Sequence, residues 1–166
     1  DNEFMHADIR GRILDFIYLS DDSAADTHGH GTHVVGSILG NGAESDGQYK
    51  GMAPEASLVF EEFMDTEGSI NLSYYINESV FQPAYDLGAK IHSNSWGYTD
   101  NYGNYTIYSQ QVDQFMWENP DMLILFAAGN YGVDLDKDGV VDQNSIQDPA
   151  TAKNCIAVGS SENFRD

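Results

Sequence analysis

Three histidines fall within six positions in His28-Gly29-His30-Gly31-Thr32-His33, and the apolar helical run Val34-Val35-Gly36 follows them. Imidazole titrates near neutrality, so a histidine at a helix start, with its ring turned out of the fold, can serve as a general base. The glycines let a backbone or a substrate approach closely. The spacing admits two other readings: His-x-His and His-x-x-His suit a metal, and a glycine-flanked helix start can carry histidines without using them.

A second group is Leu123-Ile124-Leu125-Phe126-Ala127-Ala128-Gly129-Asn130, an apolar run that ends in small residues and then an amide. An asparagine at the end of a buried strand can aim its NH₂ at a developing oxyanion, and the small residues before it leave room for a substrate side chain. Taken alone, the segment also fits a strand running into a turn. A third group is Asp134-Leu135-Asp136-Lys137-Asp138-Gly139-Val140-Val141-Asp142. Carboxylates at alternate positions before a glycine can converge on one hard cation, as in the first, third, fifth and sixth positions of an EF-hand loop. Its twelfth position would be Ser145 rather than a bidentate glutamate, so this is not an EF-hand, while Asp142 at the ninth could still ligate. The residues predict calcium on Asp134, Asp136, Asp138 and Asp142; the alternative is a solvated acidic loop.

Elements must position these groups. Apolar runs predict buried strands at Ile13 to Tyr18, Leu58 to Phe63, Ile91 to Asn94, Leu123 to Ala127 and Ile156 to Val158. Helical spacing predicts helices at His30 to Leu39, Leu72 to Leu87 and Ile107 to Glu118. The alternation calls for an α/β fold with a mainly parallel sheet and helices on both faces, because a parallel connection must cross over the sheet. In such sheets the working region lies at the carboxyl ends of strands, here the loops after Asn94 and Ala127.

Composition narrows the function. The 166 residues make one compact domain, or part of one, and 27 acidic against 7 basic residues give a net charge of −20. Such a surface repels phosphates, so nucleic acid is not an expected partner. No apolar run approaches the roughly 20 residues of a membrane span, and no signal peptide opens the chain, so membrane insertion is not expected. The lone Cys155 excludes an internal disulfide, and its apolar setting in Cys155-Ile156-Ala157-Val158 predicts a buried, inert thiol.

Together these segments resemble the subtilase family of serine peptidases. His30-Gly31-Thr32-His33-Val34-Val35-Gly36 is similar to that family's histidine motif, with Val35 in place of the usual alanine. Ala127-Ala128-Gly129-Asn130 resembles its oxyanion segment, Asn94-Ser95-Trp96-Gly97 the strand end that pairs with an extended peptide, and Gly51-Met52-Ala53-Pro54 a segment preceding a strand. The resemblance implies a three-layer α/β/α fold and a secreted, monomeric serine endopeptidase acting on protein or peptide substrates. In it His30 is the general base, His33 supports it, His28 lies beside the substrate groove, and Asn130 donates to the oxyanion. Gly68 and Ser69 form one backbone rail for the peptide and Ser95, Trp96 and Gly97 the other, while Ala127, Ala128 and Gly129 wall the pocket for the P1 side chain. Tyr131 at its rim implies tolerance of apolar or aromatic P1 groups.

The family's aspartate motif and its Gly-Thr-Ser-Met-Ala serine motif do not occur among these residues, and Gly159-Ser160-Ser161 lacks the flanking pattern of the latter. Met5-His6-Ala7-Asp8-Ile9 resembles the segment that follows the aspartate motif. The expectation is therefore an internal, partial catalytic domain, inactive alone, with its Asp, Ser and export signal encoded outside it. Two other readings stay open: a metal-dependent hydrolase built on His28, His30 and His33, and a non-catalytic, calcium-stabilised binding domain.

Overall fold

The computed structural model describes residues 6–19, 26, 28–64, 70 and 72–161. Gly68 and Ser69, expected as a substrate rail, lie outside them. The chain forms two compact units, Asp1–Leu72 and Ser73–Asp166.

In the first unit, β1 (Ile13–Tyr18) pairs in parallel with β2 (Leu58–Glu62), and α1 (His30–Leu39) lies between them in sequence. The helix turns Val35 and Leu39, four residues apart and so on one face, into a core with Ile9, Ile13, Ala56, Leu58 and Phe60. Each large apolar side chain fully buried there contributes about 1.5–3 kcal/mol. Val35, the departure from the motif's usual alanine, is one of the buried residues. Leu14 is 68% exposed, against the expectation of a buried strand. The described β1 has one strand neighbour, and its successive side chains alternate between faces, so only one set meets α1.

The second unit holds a parallel sheet of order β3–β4–β5, with β3 (Ile91–Asn94), β4 (Leu123–Ala127) and β5 (Ile156–Val158). Ile91 pairs with Leu123 and Asn94 with Phe126, while Leu125 to Ala127 pair with Ile156 to Val158. Ile124 and Phe126 of β4 are fully buried with Ile76, Val80, Phe81 and, from α3 (Ile107–Glu118), Val112 and Phe115. Thr106 caps α3, its hydroxyl accepting from the Tyr108 N–H at 3.1 Å. β5 is an edge strand, with Ile156 and Val158 about half exposed, so Cys155 beside it is half-buried rather than buried. Burial still pushes its thiol up to about 11, with the Asp113 charge adding to the shift, so the thiol stays protonated and inert.

The helix expected from Leu72 to Leu87 is shorter. It starts as a π-helical turn at Asn77–Phe81 and continues as α2 (Gln82–Asp86). The buried Gln111 of α3 donates to the Tyr74 carbonyl at 2.9 Å and accepts from the Asn77 N–H at 3.5 Å, which holds the preceding residues outside a helix. Pro83 has no N–H to give and crowds the carbonyl four residues back, that of Ser79, inside the wider π turn. No described helix is long and apolar enough to cross a membrane.

Candidate functional site

His30 opens α1, and its side chain is exposed. The residue before it, Gly29, has φ 78°, a left-handed conformation that glycine adopts without strain. Gly29 has no side chain with which to cap the helix. Asp26 supplies one: its Oδ2 accepts from the Thr32 N–H (2.7 Å) and the Thr32 hydroxyl (2.8 Å), and its Oδ1 accepts from the Gly29 N–H (2.7 Å). Burial pushes the Asp26 carboxyl up, but those donors and the nearby His28 outweigh it and leave it below the usual value. A carboxylate at a helix N-terminus also complements the dipole. The turn that presents His30 is thus held at both ends by one side chain, which the motif spacing did not single out. The signal was an aspartate within the four residues before a helix start.

His28 stands edge to face with His30, ring centroids 6.1 Å apart, and both are exposed, as is His33. Among the described residues the three histidines do not bring ligand atoms within reach of a common ion; the cluster that does is Asp134, Asp136 and Asp138.

In the second unit the register Asn94↔Phe126 sets the extension of β3, Ser95 to Gly97, beside that of β4, Ala127 to Asn130. Asn94 secures the pair: its Nδ2 donates to the Leu125 carbonyl (3.0 Å) and its Oδ1 accepts from Trp96 Nε1 (3.0 Å). Trp96 is 7% exposed and its ring sits edge-on to Phe126. Ser95, Ala127 and Asn130 are exposed; Gly97, Ala128 and Gly129 are half-buried. The Asn130 amide makes no hydrogen bond among the described residues. Tyr131 is more than half exposed and faces Tyr102 at 5.8 Å.

A third segment, Gln147-Asp148, closes this region and was not foreseen. The Gln147 N–H donates to the Ala128 carbonyl (3.0 Å) and the Tyr98 N–H to the Asp148 carbonyl (2.8 Å). The Asp148 carboxylate is fully buried and accepts from the hydroxyls of Thr106 and Ser109, both at 2.7 Å, which anchors the segment to the start of α3. Burial raises the Tyr98 phenol to about 12, with Tyr108 and Asp148 adding to the shift, so Tyr98 stays neutral and stacks on Tyr108 at 4.8 Å.

In the acidic loop, oxygens of Asp134, Asp136 and Asp138 lie within 4.8 Å of one another. Backbone turns hold them: Asp134 accepts from the N–H groups of Asp138 (3.1 Å) and Gly139 (2.9 Å), and Asp138 from that of Val140 (2.8 Å). Asp142 does not join the cluster. Its Oδ2 accepts from the Leu135 N–H at 3.0 Å and its own N–H donates to the Val133 carbonyl at 2.7 Å, so it closes the base of the loop. Three hard oxygens on an exposed loop are a donor set that fits calcium.

The chain is similar to known proteins in both sequence and fold. The chain is 31% identical over 154 residues to the serine protease/ABC transporter B family protein tagA of Dictyostelium discoideum, covering 90% of this chain and 8% of that protein. It is 30% identical over 171 residues to the serine protease AprX of Bacillus subtilis (strain 168), covering 95% of this chain and 36% of that protein. The chain thus spans about a third or less of the length of these two relatives. Among solved structures, sphericase superposes with a TM-score of 0.69 at 29% identity, over 97% of this chain and 51% of that one, which supports the subtilisin-like α/β fold. The Subtilase family profile matches residues 6–165, a span that holds the His30 turn, both strand ends and the acidic loop, and the chain therefore belongs to the subtilase family.

Proposed function

We propose that the protein is a serine endopeptidase that cleaves extended peptides, with His30 as general base and Asn130 as one oxyanion donor. The observation that carries this reading is the family match running unbroken through both residues. Relatives named serine proteases support it. In this reading the nucleophilic serine and the triad aspartate come from sequence outside these 166 residues. His30 takes the serine proton as the hydroxyl attacks the scissile carbonyl, and the same proton then goes to the leaving amine. Negative charge gathers on the carbonyl oxygen, where the Asn130 NH₂ meets it; the exposed, unpartnered amide suits that role. The backbone of Ser95 to Gly97 adds the peptide as a strand. Calcium on the Asp134, Asp136 and Asp138 loop would neutralise its crowded carboxylates and stiffen the segment that follows Asn130. The proposal extends to export, with which the acidic surface is compatible in a calcium-rich exterior.

The test is fluorophosphonate labelling and peptide hydrolysis by the full-length protein and its His30→Ala variant. One labelled serine and hydrolysis that collapses in the variant are expected. Hydrolysis that survives loss of His30, or stops on chelation while His28 and His33 variants lose activity as fully as His30, would overturn the assignment.

A further inference from the structure

Asn-x-Ser/Thr triplets stand at Asn71-Leu72-Ser73, Asn77-Glu78-Ser79 and Asn104-Tyr105-Thr106. Such a triplet, with any residue but proline in the middle, accepts an N-linked oligosaccharide, a bulky and solvated group that only a surface position accommodates. Asn71 lies outside the described residues. Asn77 opens the π-helical turn beside the fully buried Ile76, and its Oδ1 is enclosed. A sugar on that amide would force the turn away from the core it packs on.

Asn104 is placed differently. Its side chain is exposed and makes no hydrogen bond among the described residues. The backbone around it is fastened: the Asn104 N–H donates to the Asn101 carbonyl (3.1 Å), its carbonyl accepts from the Thr151 hydroxyl (2.8 Å), and the Gly103 N–H donates to the Ile146 carbonyl (2.8 Å). Gly103, at φ 70°, lets the turn lie against Asn144, whose Cα a Cβ there would meet at 2.6 Å. The turn thus presents one amide to solvent on a fixed backbone. Two residues before that amide, Tyr102 is half-buried, and an aromatic ring at this spacing offers an apolar face to the C–H face of a first sugar.

We propose that Asn104 is a modification site that carries an N-linked glycan. This rests on the export reading, because the transfer acts on chains that enter a secretory pathway. In the transfer, Asn104 Nδ2 bonds to the anomeric carbon of a lipid-linked pyrophosphate oligosaccharide. The bond from that carbon to the pyrophosphate breaks, and the amide gives up one proton as the pyrophosphate leaves. In the folded protein the Thr106 hydroxyl of the same triplet is engaged, donating to Asp148 at 2.7 Å and accepting from the Tyr108 N–H at 3.1 Å. The triplet is therefore modified before Thr106 caps α3, and the cap closes with the glycan outside.

The experiment isolates the full-length protein from its native source, notes whether it is recovered outside or inside the cell, and maps its peptides by mass spectrometry with and without peptide-N-glycosidase. Expected is exported protein with a glycan on Asn104, which the glycosidase removes while converting the asparagine to aspartate. Asn104→Gln, a change at an exposed side chain, should lose that mass shift. Exported protein with Asn104 unmodified, or with the glycan on Asn77 instead, would overturn this inference and leave export standing. Protein retained inside the cell and unmodified would overturn the export reading, and this inference with it.

Discussion

In the proposed reaction Asn130 would bind the oxyanion and barely touch the ground-state carbonyl, so its removal should act on kcat rather than KM. Asn130→Ala is expected to lower kcat by about 10²–10³-fold, the size known for removing this donor in subtilisin itself rather than one derived from this geometry. Steady-state kinetics on the full-length protein checks it; a raised KM with kcat unchanged would place Asn130 in binding instead. Asp26 is a different kind of residue, because it acts through the backbone that presents His30. Its carboxyl lies below the usual 3.8, so the ionised form is favoured in the folded state. The stability it contributes is present above that ordinary value and is lost as the pH falls through and below it. Asp26→Ala should cost about 1 kcal/mol, the usual size of a lost helix cap, and urea melts at pH 7 and pH 3 should show the difference between variant and wild type shrinking on acidification. A penalty independent of pH would mean that Asp26 acts through packing alone.

Among the elements, the acidic loop and the anchor of α3 make opposite predictions. Asp134, Asp136 and Asp138 are held by their own backbone turns, so the cluster can form without an ion but repels itself. Calcium bound only by the folded state should raise the melting temperature, and at a free concentration 100 times its Kd it adds about 2.7 kcal/mol. Calorimetry with calcium and with chelator tests this; equal melting temperatures would leave a solvated loop. Asp148 needs no ion, since the hydroxyls of Thr106 and Ser109 already satisfy it in the core. Asp148→Ala removes two hydrogen bonds to a charged acceptor and leaves a buried void, which should cost about 3 kcal/mol or more. Denaturant melts of the variant should show that loss, and a change below about 1 kcal/mol would mean the segment is anchored elsewhere.

For the whole molecule, the net charge of −20 dominates. Like charges spread over one surface oppose compaction, and monovalent salt screens them over about 10 Å at 0.1 M. The full-length protein, if its acidic excess persists, should therefore melt at a higher temperature in 0.5 M NaCl than in 10 mM, with chelator present so that calcium plays no part. A melting temperature that falls with salt would show that the acidic groups are engaged in ion pairs, such as that of Lys90 with Asp121, at 2.8 Å on the surface.

Sequence periodicity alone placed β1, β3, β4, β5, α1 and α3, because strands and helices with one apolar face write their period directly into the residue order. Residue order also singled out His30, Asn130 and the Asp134 loop as candidates, because each stands in a short motif of adjacent residues. It overextended the helix at Leu72, where the buried Gln111, more than thirty residues away in sequence, takes up Tyr74 and Asn77. It grouped Asp142 with the other carboxylates, although a backbone N–H from Leu135 draws it to the base of the loop. Gln147 and Asp148 were invisible for the same reason. Their contacts are with Ala128, Tyr98, Thr106 and Ser109, which are distant along the chain and become neighbours only when β3, β4 and α3 pack. Local order fixes period and motif; which polar group is left without a partner is decided by the contacts that close in three dimensions.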